Sequence, residues 1–157
     1  MMRRHTFGLL ALATLLTAPV AHADPESTTT INGAVPPGTP GKLADLTTVI
    51  DSTDKNGDRL LVQQGIRKPG TRSPIQYHGF IGNTCVLSGA VTLFVEGAAP
   101  ASHTKGSCFE LPTGVAMATA NVGEEDAQLT VTFVLPPNDP AIIVLEPNWS
   151  DLTDPTG

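Results

Sequence analysis

Aromatic side chains are scarce in this chain. They make up 4% of its 157 residues, with a single Trp and a single Tyr. A core must therefore be built from Val, Leu, Ile and Ala. Cysteine is nearly absent too: there are only Cys85 and Cys108, and no Cys-x-x-Cys pair that would suggest redox catalysis. No Lys/Arg cluster occurs beyond the N-terminus, which excludes the electrostatic footprint of a nucleic-acid binder. There is no Gly-x-Ser-x-Gly elbow and no phosphate-binding Gly-x4-Gly-Lys-[Ser/Thr] loop. No segment has a convincing helical period. What the chain has in quantity is glycine (15) and proline (14), with 40% hydrophobic residues and a net charge of −6. This composition suits one acidic domain of short strands and turns.

The first residues look like a targeting segment. Arg3 and Arg4 precede an apolar run over residues 7–20, and Ala21-His22-Ala23 has the small-x-small pattern of a cleavage site. Residues 1–23 are thus expected to be a signal peptide, leaving no membrane span after cleavage. The protein is expected to be secreted or held in the cell envelope or periplasm of a bacterium. Residues 24–42 are rich in Thr and Pro and are expected to be extended and mobile. A domain is expected over 43–147, with a polar tail over 148–157.

Within the domain, strands are expected at residues 59–66, 75–81, 84–87, 91–96, 107–111, 115–120, 128–135 and 141–145. Residues 51–58 and 97–106 are expected to be turn or loop. Asp54-Lys55-Asn56-Gly57-Asp58 superficially suggests a calcium loop. The sixth and twelfth positions of that loop would be Arg59 and Gly65 instead of Gly and Glu, so an Asn56-Gly57 type I′ hairpin turn is the better reading. Eight to ten short strands without helices are naturally buried by closing a barrel or a two-sheet sandwich.

Two segments carry a more specific signal. The first is Gly70-x5-Gln76-x-His78-x3-Gly82-x6-Gly89. The second is Gly106-x5-Pro112-x-Gly114-x2-Met117-x3-Asn121. Their spacing resembles the two motifs of the cupin superfamily, and implies an all-β, single-domain cupin-type jelly-roll β-barrel. The family holds a metal on three histidines and a glutamate. By position these fall on Gln76, His78, Gly82 and Met117, and sliding the glutamate by one residue gives Asn83. His78 alone is a strong ligand. The resemblance therefore implies that no metal cofactor is bound, with a divalent metal or copper site of His78, Gln76 and Met117 as the weaker alternative. Ligand-pocket candidates are Gln76, His78, Asn83 and Met117. Tyr77, alternating between two of them, is expected to face away from the interior. His103 lies in the loop at 97–106, too remote to be a strong candidate ligand.

In an exported protein two cysteines suggest a disulfide. The resemblance sets Cys85 and Cys108 on adjacent antiparallel strands, which favours that pairing. Two buried thiols, or a soft metal site with Met117, are the other readings. Besides a structural or stress-related exported barrel with no ligand at all, two functions follow. One is a metal-free barrel that binds a small molecule or contacts a cell-envelope component. The other is a metal-dependent oxygenase, isomerase or lyase with an atypical ligand set. A homodimer is compatible with either.

Overall fold

The computed structural model describes residues 26–149. The signal-peptide expectation, the cleavage point and most of the polar tail lie outside these residues.

Twelve strands and no helix occur among them. They are β1 (Thr39–Pro40), β2 (Ala44–Thr53), β3 (Arg59–Arg67), β4 (Thr71–Arg72), β5 (Gln76–Tyr77) and β6 (Gly82–Ser88). These are followed by β7 (Ala90–Val95), β8 (Ala101–Thr104), β9 (Cys108–Leu111), β10 (Met117–Ala120), β11 (Ala127–Leu135) and β12 (Ile143–Val144). One sheet runs β2-β3-β11-β6-β9. In the other, β10 lies between β7 and the β4/β5 line, with β8 beyond β7 and β1 and β12 beyond β4 and β5. The two sheets face each other, as an all-β jelly-roll barrel requires.

β4 and β5 are one strand broken at Pro74, which has no N–H to give the ladder. Ser73 bridges the break. Its N–H donates to Thr119 O at 2.9 Å, and its Oγ accepts from Thr119 N–H at 3.0 Å.

The core follows the strand period. Leu61, Val86, Val91, Leu93, Leu111, Met117, Leu129, Phe133 and Leu135 point between the sheets and are nearly inaccessible. Full burial of each such side chain contributes about 1.5–3 kcal/mol. A second, smaller cluster lies on the other face of β10 and β5. Ile75 and Ala118 pack there against Ile31 and Leu145, with Tyr77 beside them.

That outer cluster explains a difference from expectation. The Thr/Pro-rich stretch is extended, but its described part is docked on the barrel. Ile31 is 4% exposed, Thr28 N–H donates to Leu145 O at 3.1 Å, and β1 pairs in parallel with β4. The apolar side chain and the ladder hydrogen bonds outweigh the composition.

Three further elements also differ. β2 is a ten-residue strand where no strand is expected, its last three residues falling in the expected turn at 51–58, and it is exposed at the edge of its sheet. β8 crosses the expected loop and pairs with β7. The hairpin between β2 and β3 is not type I′, since only Gly57 has positive φ (93°). Asp54 organises it instead, its Oδ1 accepting from the N–H groups of Asn56 (2.7 Å) and Asp58 (3.0 Å).

The turn residues of the two motifs are accounted for by backbone geometry. Gly89 has φ +69°, and a Cβ there would meet the backbone of Asp126 and Ala127. Asn121 is 1% exposed. Its Nδ2 donates to Arg67 O (2.8 Å) and Glu125 O (2.7 Å), and its Oδ1 accepts from Gly123 N–H (3.0 Å). One buried amide thus ties the end of β3 to the turn before β11. Cys85 and Cys108 face each other in the β6–β9 register and form a disulfide, which closes the alternatives of free thiols and a soft metal site.

Candidate functional site

A cleft of ≈ 130 Å³ opens between the sheets. Leu111, Leu129, Val131, Phe133 and Ile142 give it an apolar wall. Gln63 and Arg67 reach it from β3, Gln76 and His78 from β5 and the residue after it, Thr84 from β6 and Thr119 from β10. The 41–46 segment, including Lys42, forms one side. Among the described residues no Asp or Glu lines it. A larger, more open depression between the β2–β3 hairpin and residues 136–140 is lined mainly by turn residues and prolines, away from both motif segments.

His78 is completely buried. Its Nδ1 lies 2.7 Å from Ala141 O and its Nε2 3.4 Å from Gln76 Nε2. A carbonyl can only accept, so Nδ1 carries the proton and Nε2 is left as an acceptor facing the Gln76 amide. Burial pushes the imidazole below its ordinary value, opposed by the hydrogen bond to Ala141, so it is neutral at pH 7. The Phe133 ring packs on it with centroids 5.2 Å apart.

Arg67, at the inward end of β3, was not among the residues singled out from sequence. It is 5% exposed. Nη1 donates to Gly41 O at 2.7 Å, with Lys42 O at 3.4 Å, and Nε has no hydrogen-bond partner among the described residues. Burial lowers its pKa to about 10, still far above neutral. The signal that would have found it is parity. Leu61, Gln63, Gly65 and Arg67 share one face of β3, and two of the four are polar on what is the inward face.

Of the four pocket candidates, Gln76 and His78 meet in the cleft. Met117 does not line it. It is 1% exposed in the core alongside, paired in register with Gln76 and Val95. Asn83 must be withdrawn, because it is an exposed residue of β6, whose inward neighbours are Gly82 and Thr84. Sliding the motif by one residue turns the side chain to the other face. His103 stacks on Phe109, with centroids 4.0 Å apart, and is no part of the cleft.

These residues do not fit the family's metal. His78 Nε2 is the one strong donor at these four positions, Gln76 offers only an amide, and Met117 is packed outside the cleft. At Gly82, where the glutamate would stand, a Cβ would collide with the Phe133 ring, with Cδ1 at 2.7 Å. Phe133 thus occupies the space a carboxylate side chain would need. Among the described residues no three His, Cys, Asp or Glu side chains are grouped to hold an ion.

No protein-family model and no curated protein matches the chain. Solved structures do. The DMSP lyase DddQ from Ruegeria pomeroyi DSS-3 superposes with a TM-score of 0.51 at 16% identity, over 65% of this chain and 51% of that one. A cupin 2 conserved barrel domain protein from Salinispora arenicola CNS-205 gives 0.48 at 16% identity, over 76% and 88%. An RmlC-like cupin family protein with a double-stranded β-helix fold, from Methanocaldococcus jannaschii, gives 0.48 at 19%, over 58% and 83%. At such identities the likeness is one of fold and carries no activity with it.

Proposed function

We propose that this chain, a barrel with the cupin fold, is an exported, metal-free protein that binds a small molecule in the cleft between its sheets. The observation that carries the reading is the lining. Gln76 and His78 converge at 3.4 Å beside an apolar wall, while the remaining metal positions are filled by core side chains. A concave, mostly apolar site with a few convergent polar groups is the usual form of a small-molecule pocket. The Gln76 amide would meet the ligand, donating or accepting, with His78 Nε2 held behind it against that amide. The disulfide is compatible with an oxidising compartment outside the cytoplasm, which supports export.

The test is a thermal-shift screen of the purified protein against small metabolites and against divalent metals and copper. A ligand present at 100 times its Kd stabilises by about 2.7 kcal/mol, enough for an easily read shift. The reading expects organic molecules to raise the midpoint and metals to leave it unchanged. A specific rise with Fe, Mn, Zn or copper would overturn it.

A further inference from the structure

We propose that the ligand is a small organic anion, a carboxylate on a short apolar body, and that Arg67 is the group that receives the carboxylate. The proposal deepens the cleft reading and rests on it.

Three observations lead there. First, Arg67 lines the cleft and is buried without an acidic partner among the described residues. The contrast with Arg72 is direct. That arginine is equally buried but meets Glu146 through two bonds, of 2.6 and 2.7 Å. A buried charge left unpaired is costly, and proteins avoid it unless something supplies the counter-charge.

Second, the way Arg67 is held leaves one particular edge unused. Among the described residues its hydrogen bonds are from Nη1, to the carbonyls of Gly41 and Lys42. Those anchor the guanidinium against the segment leading into β2. On the opposite edge, Nε is buried with no partner among the described residues, and none of Arg67's hydrogen bonds there comes from Nη2. Two parallel N–H groups on one edge are the fork that matches the two oxygens of a carboxylate.

Third, the charge of the lining opposes that of the molecule. The chain carries −6 overall, yet among the described residues Arg67 and Lys42 are the charged side chains lining the cleft, with no carboxylate beside them. The apolar wall of Leu129, Val131 and Phe133 then sets the other end of the ligand. A cavity of about 150 Å³ takes a benzene-sized molecule, so ≈ 130 Å³ suits an apolar body of roughly four to five non-hydrogen atoms, with the carboxylate beyond it on Arg67. Pentanoate falls in that range.

The experiment is an amide-resolved NMR titration of the full protein with three probes of one shape: pentanoate, pentanamide and pentylamine. Pentanoate should bind about ten-fold tighter than pentanamide, because charge-assisted hydrogen bonds are about twice as strong as neutral ones. Pentylamine should not bind. Shifts should centre on Arg67, Gln63 and Gln76. Arg67→Lys keeps the charge but loses the fork, and should weaken pentanoate roughly ten-fold with pentanamide unchanged. The comparison among probes needs no variant, so it stands even if the substitution disturbs folding. Equal binding of pentanoate and pentanamide, indifferent to Arg67→Lys, would overturn the anion proposal and leave the cleft reading intact. Absence of shifts with all three probes would overturn the anion proposal and count against the cleft reading as well.

Discussion

Glu146→Ala should destabilise the protein by about 3 kcal/mol, the low end of what removing one partner of a buried ion pair costs. The low end is chosen because the Glu146 side chain keeps 11% of its exposure whereas that of Arg72 keeps 2%. Glu146 accepts from both Nη groups of Arg72 and, at 2.9 Å, from Ile75 N–H. Its loss would strand a buried guanidinium whose Nε already lacks a partner. The loss also reaches the cleft. Leu145 N–H donates to Ile75 O, and Ala141, on the same returning segment, holds His78. In a domain of this size a 3 kcal/mol loss lowers the melting midpoint by roughly 10 °C. Thermal and urea unfolding would both report it. Arg72→Met with Glu146→Leu should recover most of the loss, since apolar residues of similar volume often replace a buried pair without cost. There is an acid signature too. The Arg72 hydrogen bonds hold the Glu146 carboxyl below its ordinary value, with burial opposing. Its contribution is therefore whole above the unfolded value, ~4.3, and is lost as pH falls below that through the folded value. A loss under about 1 kcal/mol, or an unchanged acid slope in Glu146→Ala, would refute the clamp.

Other outcomes follow from the same packing. Because burial keeps His78 neutral, the unfolded chain takes its proton first as pH falls below ~6.5, so stability is full above that pH and declines beneath it. His78→Phe should flatten the decline between pH 6.5 and 5 in urea unfolding, and more than His103→Asn does, because His103 is only half-buried. An unchanged slope would mean that His78 is not held neutral. Reducing the Cys85–Cys108 bond, or replacing both cysteines with serine, should cost about 3 kcal/mol for the loop it closes, read as a lower urea midpoint. Gly82→Ala should cost about 1–3 kcal/mol by driving Phe133 off its place, and Gly82→Glu should fail to confer metal binding unless Phe133 is also made small. Metal uptake by Gly82→Glu alone would show that the carboxylate has room.

The fold was legible because its signals are local. Gly89 must take a positive φ where no Cβ fits, and Asn121 must close a turn that no other residue closes as well, so both keep fixed places in the spacing. The site was only half legible because its lining is assembled from several strands and from the 41–46 segment. Gln76 and His78 come from within a motif and were found. Arg67 lies one residue past the apolar run that marked its strand, and its importance depends on Gly41 and Lys42 arriving from elsewhere in the chain. Asn83 was misplaced by a single step of strand parity. β2 escaped notice because an exposed edge strand need not alternate.

On the function proposed above, this cupin-fold barrel holds a ligand cleft where an ion site would stand. Elemental analysis of the protein, purified from its own compartment without chelators, tests that most directly. The account predicts only trace, substoichiometric Fe, Mn, Ni, Cu or Zn, and a stoichiometric amount of any one of them would contradict it.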